Sequence, residues 1–252
     1  MSQKLRPTIG LVFAVAIFAV AMWSSENHKQ SLMIDATGFV HAQQIMGAMN
    51  CIGPATAKKV YGDLYHEQLD SLSPEQLAAL ATIPFSDSVL KECASTHILV
   101  FDLGLSLKTM WRYAGENLLV YGREDDKDEQ FAKATDVPQW RLVRRDIVPG
   151  STNMELDEQL KLLLPHERNE VRPMTRIMVN TMLLYYKECG TWLFSDNIAR
   201  CCNEVGSVEY GDRQSICVGH LSSDKGVGIY RRWNTDREDN LGLASIILPM
   251  KK

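Results

Sequence analysis

TRIMVNTMLLYYKEC, residues Thr175 to Cys189, is the most regular stretch of the sequence, and Gly190 follows it at once. Apolar side chains recur through it at helical spacing, and glycine commonly stands just beyond the end of a helix. We therefore predict a helix over 175–189. Beyond Gly190 the chain changes to short runs of β-branched and aromatic residues separated by turn-forming residues, which predicts a sheet from residue 191 onward.

The predicted sheet contains a hairpin. The segments Ser215 to Leu221 and Gly226 to Trp233 are rich in strand-forming residues and flank a connection of hairpin length, so we expect them to pair antiparallel. Further strands are predicted in the apolar runs at Trp192 to Phe194, Ile198 to Cys201 and Leu241 to Leu248.

The chain before residue 175 mixes helices and strands. Ser73, Pro74 and Gln76 form a capping-box pattern that predicts a helix start, and His97 to Phe101 is a continuous apolar run typical of a strand covered on both faces. Trp140 to Ile147 predicts another strand, with its arginines on an exposed face. The fold class is therefore α+β, with a short helical subdomain over 36–96 and an α+β module over 97–252 that ends in an antiparallel sheet.

The N-terminus carries a hydrophobic lead. Thr8 to Trp23 contains no charge, follows Lys4 and Arg6, and includes the small-x-small triplet that ends at Ala21. This pattern predicts a signal peptide or an uncleaved membrane anchor over 1–23. The excess of positive charge before the run places the residues after 23 outside the cytoplasm, in the cell envelope or secreted.

Composition describes an ordinary globular chain. Apolar residues make up 45% of the sequence and charged residues 23%, so the chain can bury a core. The net charge of −4 lacks the basic footprint of nucleic-acid binders, and we expect no nucleic-acid partner. No cofactor motif is found, so no cofactor is predicted. The six consecutive residues 124–129 are rich in carboxylates but lack the ligand spacing of a calcium-binding loop. We therefore predict that this acidic run is the solvated start of a helix.

Six cysteines follow the hydrophobic lead. In an oxidising compartment an even number predicts up to three disulfides, and pairing within each half of the chain, as for Cys51 with Cys93, is the simpler arrangement. The alternative is a zinc site made of Cys189, Cys201, Cys217 and His220. It lacks the paired C-x-x-C spacing of well-defined zinc motifs.

The C-terminal part carries a resemblance. Arg176 to Tyr186, Trp192 to Ser195, Cys217 to Gly219, Asp236-Arg237 and Gly242 to Ser245 resemble the C-terminal part of a diffuse group of uncharacterised bacterial proteins. Some of those proteins are similar to the C-type-lectin-like display domains that diversity-generating retroelements mutate. The resemblance implies a lectin-like scaffold that binds a ligand through one face and its loops.

The corresponding binding hypothesis is a non-enzymatic protein that recognises a macromolecule or a glycan. Its predicted ligand-binding residues combine aromatic rings with hydrogen-bonding groups, as recognition surfaces do. They are Tyr210, Arg213, Tyr230, Arg231, Arg232, Trp233 and Asn234.

Two alternatives stay open. One is a fixed interaction protein of the cell envelope, anchored by residues 8–23. The other is an envelope hydrolase in which His220 is the general base, Asp212, Asp224 or Asp236 orients it, and Ser222 or Ser223 is the nucleophile. No G-x-S-x-G or H-E-x-x-H motif supports hydrolysis.

Overall fold

The computed structural model describes residues 38–249, apart from 115–118, 122, 124–125, 127, 164–168, 207–212 and 221–225. The hydrophobic lead at 8–23 and Tyr210 lie outside the described residues. None of the described helices is both long enough and apolar enough to cross a bilayer.

The described chain alternates helices and strands. Its helices are α1 (Gly38–Met46), α2 (Pro54–Tyr61), α3 (Asp63–Asp70), α4 (Pro74–Leu80), α5 (Asp87–Cys93), α6 (Leu107–Ala114), α7 (Gln130–Lys133), α8 (Leu156–Lys161) and α9 (Thr175–Cys189). Its strands are β1 (Cys51–Ile52), β2 (His97–Asp102), β3 (Leu119–Tyr121), β4 (Gln139–Arg144), β5 (Glu170–Val171), β6 (Ile198–Val205), β7 (Gln214–His220), β8 (Val227–Trp233), β9 (Leu241–Leu243) and β10 (Ile246–Ile247).

The strands form two mixed sheets. The first sheet has the order β1-β2-β4-β10-β5, and the second has the order β3-β8-β7-β6-β9. Antiparallel β6, β7 and β8 form the centre of the second sheet, and β3 and β9 extend it in parallel at its two edges. The α+β fold class is confirmed.

Helix α9 lies between the two sheets. It contacts β1 and β2 of the first sheet and β6, β7 and β8 of the second. Eleven of its fifteen residues are buried, because a helix covered by a sheet on each side has little surface left for solvent. Gly190 ends the helix in the left-handed conformation (φ 72°) that glycine adopts without a Cβ clash. The predicted helix over 175–189 is confirmed at both ends.

Other elements were predicted correctly from local sequence patterns. Ser73 accepts a hydrogen bond from the Gln76 backbone, and the Gln76 side chain accepts one from the Ser73 backbone, which is the predicted capping box of α4. Strand β2 is buried at every residue, as its apolar run predicts. One apolar core cluster extends from Ala42 in α1 to Ile247 in β10, and a smaller one lies beneath α8.

Three predictions were wrong. Trp192 to Phe194 forms a turn, in which Phe194 takes a left-handed φ of 55°. The run Leu241 to Leu248 is two strands, because the chain leaves the second sheet at Ala244 and joins the first at Ile246. Arg141 of β4 is buried and ion-paired with Asp102 and Asp136, so it does not lie on an exposed face.

Candidate functional site

The residues predicted to bind ligand do not share one face. Tyr230 pairs across the second sheet with Cys217, and Arg231 pairs with Ile216. Successive side chains of a strand point to opposite faces, so Tyr230 and Arg232 lie on one face of β8 while Arg231 and Trp233 lie on the other. The predicted set is therefore split by the sheet.

Most of these side chains already have partners within the protein. Arg231 donates to Asp126 (Nε to Oδ1, 2.7 Å) and pairs with Glu129, while Arg232 pairs with Glu238. Asp126 is fully buried, so this part of the acidic run 124–129 is not solvated as predicted. Arg213 pairs with Glu204, and Asn234 accepts a hydrogen bond from Ser215. Trp233 is 44% exposed.

His220 belongs to an aromatic stack. The ring of Trp192 stacks with those of Tyr186 and His220, with centroid distances of 4.0 Å and 5.4 Å. Asp236 accepts from the Trp233 backbone N–H at 2.8 Å, which is a loop contact. Asp212, Ser222, Ser223 and Asp224 lie outside the described residues, so the hydrolase alternative stays a prediction.

The six cysteines are free thiols in the structure. Burial raises the pKa of Cys51 and Cys217 to about 12, so these thiols stay protonated at neutral pH. No three described His, Cys, Asp or Glu side chains converge on a possible metal site, so Cys189, Cys201, Cys217 and His220 do not form one. The disulfides stay a prediction.

An open cleft of about 670 Å³ lies where the chain leaves β4 and where it leaves α9. Its volume falls in the range of roughly 300–1,000 Å³ that is typical of ligand sites. The lining combines hydroxyl, charged and aromatic groups. These are Ser95, Thr96, Arg144, Arg145, Asp146, Thr152, Tyr185, Thr191, Trp192, Ser195, Asp196 and Asn197.

Two turns shape the cleft. Gly150 (φ 76°) reverses the chain after β4, in the turn that follows Pro149. Phe194 reverses it after α9 with its ring buried, and its backbone oxygen accepts from the His220 N–H at 3.4 Å. A left-handed non-glycine residue costs roughly 1–3 kcal/mol, which burial of the ring offsets. Asn197 then donates to Asp146 (Nδ2 to Oδ1, 3.2 Å) and joins the two turns.

Two arginines of the cleft are held differently. Arg145 donates from Nη1 to Asn50 and from Nη2 to Tyr185, so both terminal nitrogens are used within the protein. Arg144 donates only from Nε, to Glu170 and Ser245 at 3.1 Å each. Among the described residues, nothing accepts a hydrogen bond from its two terminal nitrogens. The registers of β2, β4, β10 and β5 place the Arg144 side chain on the face of the first sheet that carries His97 and Glu170, whereas Arg145 reaches Tyr185 of α9 on the other face.

The carboxylate of Glu170 holds the guanidinium of Arg144 in place. Burial by itself would raise the pKa of Glu170, but the neighbouring His97, Ser245 and Arg144 groups outweigh it and lower the pKa to about 2. Ser245 donates to Glu170 Oε1 at 2.5 Å and is itself fully buried. The carboxylate therefore stays ionised and anchors the guanidinium at any physiological pH.

The lowered pKa of Glu170 predicts a pH-dependent stability. Its folded pKa of about 2 lies below the ordinary 4.5, so its contribution is complete above about pH 5 and is lost as pH falls toward 2. The difference in free energy of unfolding between wild type and Glu170→Gln should shrink by about 2–3 kcal/mol between pH 6 and pH 2.5. Urea denaturation across this range measures it. The exposed control Glu75→Gln should give a much smaller change, and a pH-independent difference for Glu170→Gln would contradict the assignment.

This cleft was not predicted from the sequence. Its arginines belong to a strand that was interpreted as exposed, and Trp192 belongs to a run that was interpreted as a strand. The one sequence feature that could have indicated the cleft is the charged cluster Val143-Arg144-Arg145-Asp146 between apolar residues. The sequence does not show that the 191–197 turn lies beside this cluster, because that placement depends on contacts between residues distant in sequence.

Comparison with known proteins found no relative of this chain. No protein-family model, curated protein or solved structure matches the chain. The lectin-like resemblance of the C-terminal part therefore stays a prediction.

Proposed function

We propose that this chain is a non-enzymatic binding protein of the cell envelope that recognises a glycan or another macromolecule. The observation that carries the proposal is the polar cleft of about 670 Å³, whose lining includes hydroxyl, amide, carboxylate and aromatic side chains. The hydrophobic lead at 8–23 supports the envelope location, as a signal peptide or anchor.

The chemistry of the cleft favours binding over hydrolysis. Among the exposed hydroxyls of the lining, Thr96 lies 2.8 Å from Nδ1 of His97, whose ring is buried, and Ser195 donates to the carboxylate of Asp196. No contact among the described residues joins either hydroxyl to an exposed imidazole. A hydrolase requires a nucleophile, a base and its orienting group in one reachable site. Recognition requires only fixed donors and acceptors, which the cleft provides.

The test blocks the cleft without touching the core. Ser195→Trp adds a large side chain at an exposed position of the lining, and Ser88→Trp makes the same change on the exposed face of α5. With a ligand identified from immobilised envelope glycans and proteins, Ser195→Trp should weaken binding at least about tenfold, which corresponds to roughly 1.4 kcal/mol. Ser88→Trp should bind as wild type does.

Hydrogen exchange then locates the ligand. Binding should slow exchange in residues 144–152 and 191–197. Protection confined to 213 and 230–234 would instead place the ligand on the β8 residues predicted from sequence, and would contradict the assignment of the cleft.

A further inference from the structure

Three charged side chains of the cleft lining take part in no ion pair between described residues. They are Arg145, Asp146 and Asp196. The two arginines within β4, Arg141 and Arg144, each pair with a carboxylate instead. A lining with unpaired charges is complemented by a ligand that carries the opposite charges.

Neutral groups hold the guanidinium of Arg145. Its Nη1 donates to Asn50 Oδ1 at 3.0 Å, and its Nη2 donates to the hydroxyl of Tyr185 at 3.2 Å. These bonds orient the group beside the cleft, which Tyr185 also lines. A guanidinium carries five N–H donors, so three of them have no acceptor among the described residues. A carboxylate on the ligand would supply both acceptors and the missing negative charge.

The two aspartates belong to the junction of the two turns. Asn197 donates to Asp146 Oδ1 at 3.2 Å, and Asp196 directly precedes Asn197. Asp146 Oδ1 also accepts from the Ile147 N–H, and Asp196 Oδ2 accepts from Ser195. Both aspartates are exposed, and the second oxygen of each carboxylate has no donor among the described residues. An ammonium group, with three N–H donors and a positive charge, matches these oxygens.

A ligand with charge of one sign would leave part of this lining uncompensated. An anion on Arg145 would be repelled by the two aspartates, and a cation on the aspartates would leave Arg145 without a counter-charge. A ligand with both an ammonium and a carboxylate group compensates all three side chains. Ser95 and Thr191 add exposed hydroxyls to the lining, and these can donate to or accept from the peptide units of a short peptide.

We propose that the cleft binds a zwitterionic peptide group, with its carboxylate on Arg145 and its ammonium group on Asp146 and Asp196. This inference rests on the proposed binding function and names the group that the macromolecule presents in the cleft. It assigns the three charged side chains as the residues that distinguish a peptide with free ends from one with blocked ends.

The test compares peptides that differ only at their ends. Dialanine, trialanine and tetraalanine are prepared with free ends, N-acetylated, C-amidated and blocked at both ends. Each is titrated into the full-length wild-type protein to about 10 mM and followed by nuclear magnetic resonance, which detects weak binding. For at least one length, the free peptide should bind about tenfold or more tightly than either singly blocked form, because each block removes one charge-assisted contact. The preference should weaken as salt rises.

Variants that remove charge assign the two ends. Asp146→Asn combined with Asp196→Asn keeps an acceptor oxygen at each position, and it should lower the affinity for the free peptide to that for the acetylated one. Asp239→Asn, at an exposed position outside the lining, should bind as wild type does.

Arg145→Gln should lower the affinity for the free peptide to that for the amidated one. Because this change also removes the two side-chain bonds of Arg145, the folded state is checked first by thermal unfolding. The wild-type peptide set and the aspartate variant decide the question if Arg145→Gln fails to fold.

The outcomes separate this inference from the proposed function. Equal affinity for all four forms, or for the free and the amidated form, lost in Ser195→Trp, would overturn the zwitterion assignment and leave the binding cleft standing. Binding of none of the peptides, with an envelope glycan protecting 144–152 from exchange, would overturn the peptide class. Binding of neither peptides nor envelope macromolecules in the cleft would overturn both.

Discussion

Replacing Arg176 with methionine should lower the free energy of unfolding by about 3–5 kcal/mol, the usual cost of leaving a buried charge without its partner. Arg176, at the start of α9, donates to Asp102 at 2.9 Å and to Asp136 at 2.7 Å. Asp102 is fully buried, and its remaining cation, Arg141, lies 3.4 Å away. Methionine fills a similar volume but provides no donor for either carboxylate.

Arg237 supplies the matched control. It also bridges two carboxylates, Glu155 and Glu158, but its side chain is 45% exposed. Water and salt weaken such pairs, so Arg237→Met should cost no more than about 1 kcal/mol. Urea denaturation followed by circular dichroism measures both variants. Equal effects would show that burial of the Arg176 cluster does not matter.

A double variant identifies the cause. If the cost of Arg176→Met comes from an uncompensated carboxylate, then adding Asp102→Asn should give less than the sum of the two single changes, by about 1–3 kcal/mol. Strict additivity would indicate lost packing instead.

Replacing Arg200 with methionine should cost about 3–5 kcal/mol, since the fully buried Gln159 and three partly buried backbone oxygens would lose their donor together. Arg200 of β6 is fully buried, and burial lowers the pKa of its guanidinium. Its terminal nitrogens donate to the backbone oxygens of Met154, Trp233 and Asp236, and to Gln159 Oε1. One side chain therefore ties the segment before α8 to the loop after β8.

The segments in which hydrogen exchange accelerates distinguish a local role of Arg200 from a general loss of stability. Hydrogen exchange should accelerate in 153–159 and 234–240 in Arg200→Met, under conditions where β2 stays protected. Arg213→Met, which removes an arginine that is 51% exposed at the start of β7, should leave both segments unchanged. Unaltered exchange in both segments of Arg200→Met would contradict the proposed role.

Elements whose signals are local were predictable from sequence. The capping box at Ser73, the glycine end of α9 at Gly190 and the buried strand at His97 to Phe101 depend on residues within a few positions of one another. Capping, helix periodicity and apolar runs act over that distance. The α+β fold class followed from these elements.

The candidate cleft and the charge clusters could not be predicted in this way. Arg141, Arg144 and Arg200 all look like surface arginines in sequence, and each is held by partners that come from other parts of the fold. Glu170 and Ser245, which orient Arg144, are separated from it by 26 and 101 residues along the chain.

The sequence by itself determined the helix over 175–189, the hairpin of β7 and β8 and the α+β class, because backbone hydrogen bonds and side-chain periodicity specify them locally. The tertiary structure alone decided which charges are buried, that Leu241 to Leu248 divides between two sheets, and that the turns at 144–152 and 191–197 enclose a cleft. Those features depend on burial, and burial of a polar group is set by whichever distant partner can satisfy it.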